Sequence, residues 1–256
     1  MSAPLANRHA LVTGAGRGIG AAIAQALAAQ GAAVSLLGRD RGRLDAAAER
    51  IGAGAIAVAA DVTDPAQIEA AFERARQRHG EIHLLINNAG EASSAAFART
   101  DAALWQRMLE VNATGAYHCI RAALPAMLDA GFGRIVNVAS TAGLTGYAYC
   151  AAYCAAKHAL VGLTRALAIE LAPRNITVNA VCPGFTDTDL VKEAVANIHR
   201  KTGRSEADAL GALVARNPQQ RLVRPEEVAN AVSWLCCPGA EAITGQALPV
   251  AGGEVL

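Results

Sequence analysis

The chain has 256 residues, of which 53% are hydrophobic and 18% are charged, and its formal net charge is +1. This composition excludes a disordered chain, which needs low hydrophobicity and high net charge. It also argues against a nucleic-acid partner recognised through bulk positive charge, since 23 basic residues face 22 acidic ones. There is no apolar run suited to a secretory signal or a membrane span, and the six cysteines form no CxxC pair. We therefore expect a cytoplasmic protein with free thiols and no membrane partner.

Short β-rich runs alternate with longer helical stretches along the chain. The predicted strands are 9–13, 33–38, 55–59, 82–87, 134–140, 176–182 and 246–250, and the predicted helices are 19–30, 41–51, 66–79, 103–130, 151–171, 190–201, 206–216 and 225–235. Such alternation favours parallel strands joined by crossover helices on both faces of a sheet. We predict an α/β fold, a Rossmann-type doubly wound parallel seven-stranded sheet, in a single domain over 1–256. The least regular part, about 185–220, is predicted to be a lid-like segment.

A glycine-rich turn follows the first predicted strand and opens the first predicted helix. Its glycines follow the spacing Gly14-x3-Gly18-x-Gly20, with Ile19 standing where the pattern GxGxxG needs its last glycine. Glycines at this place permit a tight turn and let a phosphate approach the N–H groups of the helix N-terminus. An ordinary tight loop has a similar composition, but the position between strand and helix favours a dinucleotide site.

The end of the second predicted strand predicts which nicotinamide coenzyme is bound. A carboxylate there accepts hydrogen bonds from the ribose of NAD, whereas an arginine suits the 2′-phosphate of NADP. Gly38 stands at the strand end, Arg39 follows it, and Arg17 in the glycine turn could approach the same phosphate. Asp40 keeps NAD open, because it could serve the ribose if the strand ended later, although it could equally cap the next helix.

Three residue types that suit carbonyl chemistry follow in the second half of the chain. Tyr153 and Lys157 are four residues apart on a predicted helix and therefore share one face. A neighbouring ammonium stabilises a phenolate, so we expect Lys157 to lower the pKa of Tyr153. Ser140, at the end of the fifth predicted strand, could polarise a substrate carbonyl. Each alone could be a core aromatic, a solvated charge or a turn hydroxyl, but together they indicate a catalytic site.

The whole chain resembles the short-chain dehydrogenases/reductases. The motifs that carry this resemblance, in the order and approximate spacing of the family, are Thr13-Gly14-x3-Gly18-x-Gly20, Asn87-Asn88-Ala89-Gly90, Ser140, Tyr153-x3-Lys157 and Pro183-Gly184. The resemblance implies a catalytic tetrad of Asn112, Ser140, Tyr153 and Lys157. In it Tyr153 would be the acid/base, Ser140 would orient the carbonyl, Lys157 would also bind the nicotinamide ribose, and Asn112 would hold a water in a proton relay.

The resemblance also implies contacts to the cofactor beyond the glycine turn. Asp61 and Val62 would lie at the adenine ring, Asn88-Ala89-Gly90 would line the cofactor, and Pro183-Gly184 with Thr186 and Thr188 would hold the nicotinamide carboxamide. With these, the predicted cofactor site is Gly14, Arg17, Gly18, Ile19, Gly20, Arg39, Asp61, Val62, Asn88, Ala89, Gly90, Tyr153, Lys157, Pro183, Gly184, Thr186 and Thr188. Asp61 could instead belong with Thr63 to a helix cap, and Asn87-Asn88 could be only a turn after a strand.

No metal is expected, because tyrosine and serine suffice for the proton and the carbonyl. Cys150, Cys154 and His158 share one predicted helix face, but no fourth ligand is near in sequence, so we interpret them as packing residues.

The predicted substrate is an acyl thioester. The segment from Cys182-Pro183-Gly184-Phe185 through Glu226-Glu227-Val228 resembles ketoreductases that act on β-ketoacyl thioesters, including polyketide-type enzymes. The cations of His199, Arg200, Lys201 and Arg204 could contact the phosphates of CoA or of a phosphopantetheine arm, or could form a solvated helix end.

We therefore predict NADP-dependent, reversible hydride transfer between the nicotinamide and a 3-oxo/3-hydroxyacyl thioester of CoA or a carrier protein. The alternatives are an NAD-dependent secondary-alcohol or cyclic-ketone dehydrogenase, and a non-catalytic NADP-binding partner subunit. The resemblance implies a homotetramer, and the apolar faces of 103–130 and 151–171 suggest burial beyond one sheet.

Overall fold

The computed structural model describes residues 3–255 and contains one sheet of seven parallel strands. The strands are β1 (His9–Thr13), β2 (Ala33–Gly38), β3 (Ala55–Ala59), β4 (Leu84–Asn87), β5 (Gly133–Val138), β6 (Ile176–Pro183) and β7 (Ala247–Val250). Their order across the sheet is β3-β2-β1-β4-β5-β6-β7. The predicted doubly wound α/β sheet is confirmed, whereas the single-domain assignment stays a prediction.

Helices cover both faces of the sheet. They are α1 (Gly18–Ala29), α2 (Arg41–Ile51), α3 (Pro65–His79), α4 (Ala102–Leu109), α5 (Gly115–Ala130), α6 (Ala151–Leu171), α7 (Asp189–Thr202), α8 (Glu206–Val214) and α9 (Pro225–Cys236). Successive residues of a strand point to opposite faces, so Ala10 and Val12 of β1 pack with α1, α2 and α9, while Leu11 packs with α3, α5 and α6. The core is therefore two apolar layers with the sheet between them.

The strand order reverses between β1 and β4, which are neighbours although β2 and β3 separate them in the chain. In open parallel sheets, the loops at the carboxyl ends of the strands diverge at such a point and leave a crevice. The glycine turn after β1 and the turn after β4 both open there, so the topology places the two motifs side by side.

The prediction of one continuous helix over 103–130 is wrong. α4 ends at Leu109, a π-helical turn follows at Glu110–Thr114, and α5 begins at Gly115. The side-chain amide of Asn112 donates to the main-chain oxygens of Met108 and Glu91, at 3.0 and 2.9 Å, inside the widened turn. Wide turns of this kind are frequent at functional sites, because they turn a side chain out of the helical repeat.

Smaller corrections concern strand ends and the segment 185–220. β5 ends at Val138 rather than at 140, so Ser140 lies beyond the strand and caps a 3₁₀ turn at Thr141–Gly143. Most of the segment 185–220 is helical, as α7 and α8 pack together through Val191, Val195 and Ala209. Its role as a lid stays a prediction. Across residues 3–255, none of the helices is long and apolar enough to cross a bilayer.

Candidate active site

A cleft of about 870 Å³ lies at the carboxyl ends of the strands. Each of the residues predicted to bind the cofactor or to act in catalysis lines this cleft. Residues from β1, β4, β5 and β6, which are far apart in the chain, therefore meet around one space. The volume is in the range typical of small-molecule and cofactor sites.

The glycine turn is built for close backbone contact. Gly14 has φ +65° and Gly18 has φ +54°, a left-handed region that glycine enters without strain. A Cβ on Gly14 would lie 2.9 Å from Asn88 Nδ2. The hydroxyl of Thr13 accepts the N–H groups of Asn88 and Ala89, both at 2.9 Å, and so joins the turn after β1 to the turn after β4.

The N-terminus of α1 fits the pyrophosphate of a dinucleotide. Arg17 occupies the cap position of α1. Within the described residues 3–255, its side chain makes no capping hydrogen bond, and the first turn of α1 holds no acidic residue. The first N–H groups of a helix carry partial positive charge and need acceptors, which phosphate oxygens supply. The cradle therefore suits the cofactor that the glycine spacing predicts.

At the end of β2, Asp40 has the capping role considered for it and also lines the cleft. Its carboxylate accepts the N–H of Arg43 at 3.1 Å and pairs with the Arg43 guanidinium at 3.2 Å, so Asp40 caps α2. Arg39 is 65% exposed, with a guanidinium nitrogen 4.0 Å from Asp61. Arg43 also lines the cleft and was not predicted, because nothing in the sequence shows which face of α2 points there.

Asp61 bonds to Thr63, whereas the residue that caps α3 is Asp64. The Asp61 carboxylate accepts the N–H and the hydroxyl of Thr63, at 3.0 and 2.9 Å, and the residue also lines the cleft. Burial acts to raise the pKa of Asp61, but the bonds from Thr63 and the charge of Arg39 outweigh it, and the pKa is lowered. The side chain is thus a fixed, ionised acceptor beside the predicted adenine position.

Arg17 does not point toward the end of β2 in this structure. Its guanidinium donates to Asp189 at 2.8 Å and lies 3.9 Å from Glu193, both on α7. The two carboxylates near the start of α7 attract the cation and connect the glycine turn to the predicted lid-like segment.

Tyr153, Ser140 and Lys157 meet on one side of the cleft. Lys157 is 4% exposed and donates to the main-chain oxygen of Val138 at 3.0 Å, with its ammonium 5.8 Å from the centre of the Tyr153 ring. Ser140 accepts the N–H of Ala142 at 3.1 Å, and a hydrogen bond joins Ser140 to Tyr153. The three side chains therefore lie together on one side of the cleft, as the sequence predicts.

The expected lowering of the phenol pKa is wrong for this arrangement. Burial raises the pKa of Tyr153 to about 12, and the hydrogen bond with Ser140 offsets it only in part. Burial also lowers the pKa of Lys157 to about 8. Removal from water penalises the charged form of both groups. At neutral pH the phenol therefore keeps its proton.

Asn112 reaches the same place from the π-helical turn. Its amide oxygen accepts the N–H of Glu91 at 3.3 Å, and its amide nitrogen donates to the Glu91 main-chain oxygen. A Cβ on Gly90 would lie 2.8 Å from the Asn112 oxygen and 3.5 Å from the Lys157 ammonium. Only a glycine leaves room where these two polar groups approach each other.

Several lining residues escaped the sequence analysis. Arg107 holds the Glu91 carboxylate with two hydrogen bonds, at 2.7 and 3.0 Å, and thereby fixes the loop that clamps Asn112. Tyr147 and Phe185 form an aromatic pair with ring centres 6.1 Å apart. The only sequence signal for these two aromatics is their position close to Ser140, Tyr153 and Pro183-Gly184.

Cys150, Cys154 and His158 show local helix contacts. The His158 ring bonds to the main-chain oxygen of Cys154 at 2.9 Å, and Cys150 lines the cleft. Among residues 3–255, there is no group of three or more His, Cys, Asp or Glu side chains suited to hold a metal ion.

Comparison with known proteins places the chain among enzymes. A family model described as short chain dehydrogenase matches residues 8–199. The 3-oxoacyl-(acyl-carrier-protein) reductase of Escherichia coli is 38% identical over 244 residues, covering 95% of this chain and 96% of the relative. Cis-4-hydroxycyclohexanecarboxylate dehydrogenase of Sinomonas cyclohexanicum is 41% identical over 256 residues, covering 99% and 98%.

The likeness extends to solved structures. A variant actinorhodin polyketide ketoreductase, crystallised with NADPH, has a TM-score of 0.94 and 39% identity, and the match covers 99% of each chain. Because the family model covers more than half of the sequence and the relatives match almost end to end, this chain belongs to the short-chain dehydrogenase/reductase family and is an NAD(P)-dependent oxidoreductase that acts on CH–OH groups.

Proposed function

We propose that the protein is an NADP-dependent ketoreductase that interconverts a 3-oxoacyl thioester and its 3-hydroxyacyl thioester. The observation that carries the proposal is the meeting of Tyr153, Ser140, Lys157 and Asn112 in the cleft that begins at the glycine turn. The activities of the Escherichia coli reductase and of the polyketide ketoreductase support the substrate class.

Two guanidinium groups support NADP over NAD. Arg39 and Arg43 border the cleft beyond Gly38, where a carboxylate would serve NAD, and Asp40 is engaged as a helix cap. Arg17 lines the same cleft, but its guanidinium is paired with Asp189 rather than turned to this place. Guanidinium groups bind phosphate oxygens strongly and with defined geometry. The related ketoreductase crystallised with NADPH agrees with this choice.

The proposed chemistry follows from the protonation states. When bound, the nicotinamide supplies the hydride to the carbonyl carbon, or accepts it in the reverse direction. Tyr153 donates its proton to the carbonyl oxygen, which its raised pKa suits, since the phenol is protonated at neutral pH. Ser140 orients and polarises that oxygen by a hydrogen bond. Lys157 stabilises the phenolate that remains. Asn112 holds a water in the relay that returns a proton to Tyr153.

A basic cluster near the cleft mouth supports a phosphate-bearing thioester. The Arg200 guanidinium donates to the Asn197 amide oxygen at 3.1 Å, and Asn197 lines the cleft. His199 bonds to the main-chain oxygen of Arg204 at 2.6 Å. The phosphates of CoA or of a phosphopantetheine arm would meet positive charge there.

The test is an absorbance assay of coenzyme oxidation with acetoacetyl-CoA, run in parallel with NADPH and NADH. We expect turnover with NADPH and at least about tenfold lower kcat/KM with NADH. Free acetoacetate, which lacks the thioester and the phosphates, is the matched control substrate and should be poorly reduced. Absence of turnover with every acyl thioester would overturn the substrate class.

The second candidate is a cyclic-alcohol dehydrogenase. The relative from Sinomonas cyclohexanicum, at 41% identity, is the observation that favours it. Oxidation of cyclic alcohols with NAD, faster than reduction of any acyl thioester, would decide for this candidate.

A further inference from the structure

Glu254, near the end of the chain, places a carboxylate inside the protein that the proposed reaction does not use. Its side chain is only 2% exposed. The carboxylate accepts the hydroxyl of Tyr147 at 2.6 Å and lies 3.3 Å from the Arg216 guanidinium. Because a buried carboxylate is costly unless it is paired, the three side chains form one interdependent group. We call Tyr147, Arg216 and Glu254 the Glu254 cluster.

The cluster fixes the Tyr147 ring from several sides. Thr141 Oγ1 lies 2.6 Å from its hydroxyl, the Arg216 guanidinium stacks 4.1 Å from the ring centre, and Phe185 packs edge-on. Tyr147, Thr141 and Phe185 line the cleft. Burial and the bond to Glu254 raise the pKa of Tyr147, so the phenol stays neutral and donates to the carboxylate.

The same carboxylate abuts the end of β6. A Cβ on Gly184 would lie 2.9 Å from Glu254 Oε2, and the Gly184 N–H donates to Val250 at 3.1 Å. Gly184 immediately precedes Phe185, the partner of the Tyr147 ring. Glu254 therefore contacts both chain segments that supply the aromatic wall of the cleft, one directly through a hydrogen bond and one through close packing.

We infer that Glu254 is a positioning residue for substrate recognition, which holds the Tyr147 ring as the wall against which the acyl group of the substrate lies. This inference rests on the proposed function. The Tyr147 hydroxyl is turned to Glu254 and Thr141, so the wall offers the cleft flat, apolar rings, which suit an apolar acyl chain. Without the carboxylate the ring is free to move, and discrimination between acyl groups should weaken while the reacting atoms stay in place.

The experiment compares Glu254→Gln, Tyr147→Phe and the double variant with the wild type. KM and kcat are measured for acetoacetyl-CoA and for a long-chain 3-oxoacyl-CoA, and NADPH affinity is measured by fluorescence titration. We expect Glu254→Gln to raise the KM for acetoacetyl-CoA about fivefold and to shift selectivity toward the long chain, with kcat and NADPH affinity within about twofold. Glu226→Gln, an exposed acid on α9, is the matched control and should change nothing.

A common mode of action requires the double variant to be no worse than the worse single variant, because Glu254→Gln weakens and Tyr147→Phe removes the same hydrogen bond. Additive effects, unchanged chain-length selectivity, or a parallel loss of kcat and NADPH affinity would overturn the inference. If Glu254→Gln does not fold, Tyr147→Phe alone must show the same selectivity shift. A wild type that reduces no acyl thioester refutes the proposed function itself. An active wild type whose variants keep the wild-type chain-length selectivity refutes only the role of Glu254.

Discussion

At the scale of single residues, Tyr153 carries the proposed proton transfer. We predict that Tyr153→Phe lowers kcat by about 10²- to 10⁴-fold, the range that positioned acid–base groups contribute. NADPH affinity should stay within about twofold, because the ring and its packing are retained. Steady-state kinetics and a fluorescence titration measure the two effects. Tyr149→Phe is the matched control, since the Tyr149 side chain is 70% exposed, and substantial turnover by Tyr153→Phe would contradict the assignment.

Arg39 tests the choice of coenzyme at the same scale. We predict that Arg39→Ala lowers kcat/KM for NADPH about tenfold and leaves that for NADH within about twofold, because a lost phosphate contact affects only the phosphorylated coenzyme. The Arg39 guanidinium lies 4.0 Å from Asp61 and is largely exposed, so folding should not suffer. Arg50→Ala, an exposed arginine at the end of α2, is the control. An equal loss with both coenzymes would remove Arg39 from the 2′-phosphate site.

At the scale of elements, an exposed ion pair ties α7 to the glycine turn. Asp189 holds Arg17 with both side chains about half exposed, so the pair contributes little to stability. A carboxylate at this place competes with coenzyme phosphate for the guanidinium. We predict that Asp189→Asn tightens NADPH binding about two- to fivefold and NADH binding less, most clearly at low ionic strength.

Calorimetric titrations of the two coenzymes measure this effect. Glu206→Gln changes an exposed acid in the first turn of α8 and serves as the matched control, for which we expect no change. Equal tightening of NADPH and NADH would show that Arg17 serves the pyrophosphate rather than the 2′-phosphate. Unchanged affinity for both coenzymes would show that Arg17 only links α7 to the glycine turn through its ion pair with Asp189.

The elements also show how far local sequence patterns determine the site. The ends of β1, β2, β3 and α6 are predicted correctly, and the glycine turn is recognised, because glycine spacing and apolar runs are local properties. The π-helical turn is missed, because it depends on hydrogen bonds between Asn112 and Glu91, 21 residues apart. The Glu254 cluster joins Tyr147 to Glu254, which are 107 residues apart, and no sequence pattern in either segment predicts the contact.

Protonation states at the site escape sequence reasoning for a related reason. The four-residue spacing places Tyr153 and Lys157 on one helix face and so predicts their proximity. It does not show how much protein surrounds them, and burial decides the direction in which each pKa moves.

At the scale of the whole molecule, a buried histidine lies at the end of the sheet opposite the cleft. His9 is 1% exposed, and its ring bonds to the Gly80 main-chain oxygen at 2.8 Å and to the Ser35 hydroxyl at 2.9 Å. Burial lowers its pKa from 6.5 to about 4, despite the bond to Gly80, and nearby His79 and His83 act in the same direction. Burial penalises the charged ring more than the bond to Gly80 favours it, so the folded state resists protonation.

This lowered pKa makes the fold sensitive to acid. Between pH 6.5 and about 4 the unfolded chain binds a proton at His9 that the folded chain does not, so stability is complete above pH 6.5 and falls as the pH drops. The difference between the two pKa values corresponds to at most about 3 kcal/mol. We predict that His9→Gln, which cannot titrate, weakens this pH dependence, as measured by urea unfolding at about pH 7.5 and about pH 5. His158→Gln, an exposed site on α6, should keep the wild-type dependence, and an unaltered dependence in His9→Gln would place the acid sensitivity elsewhere.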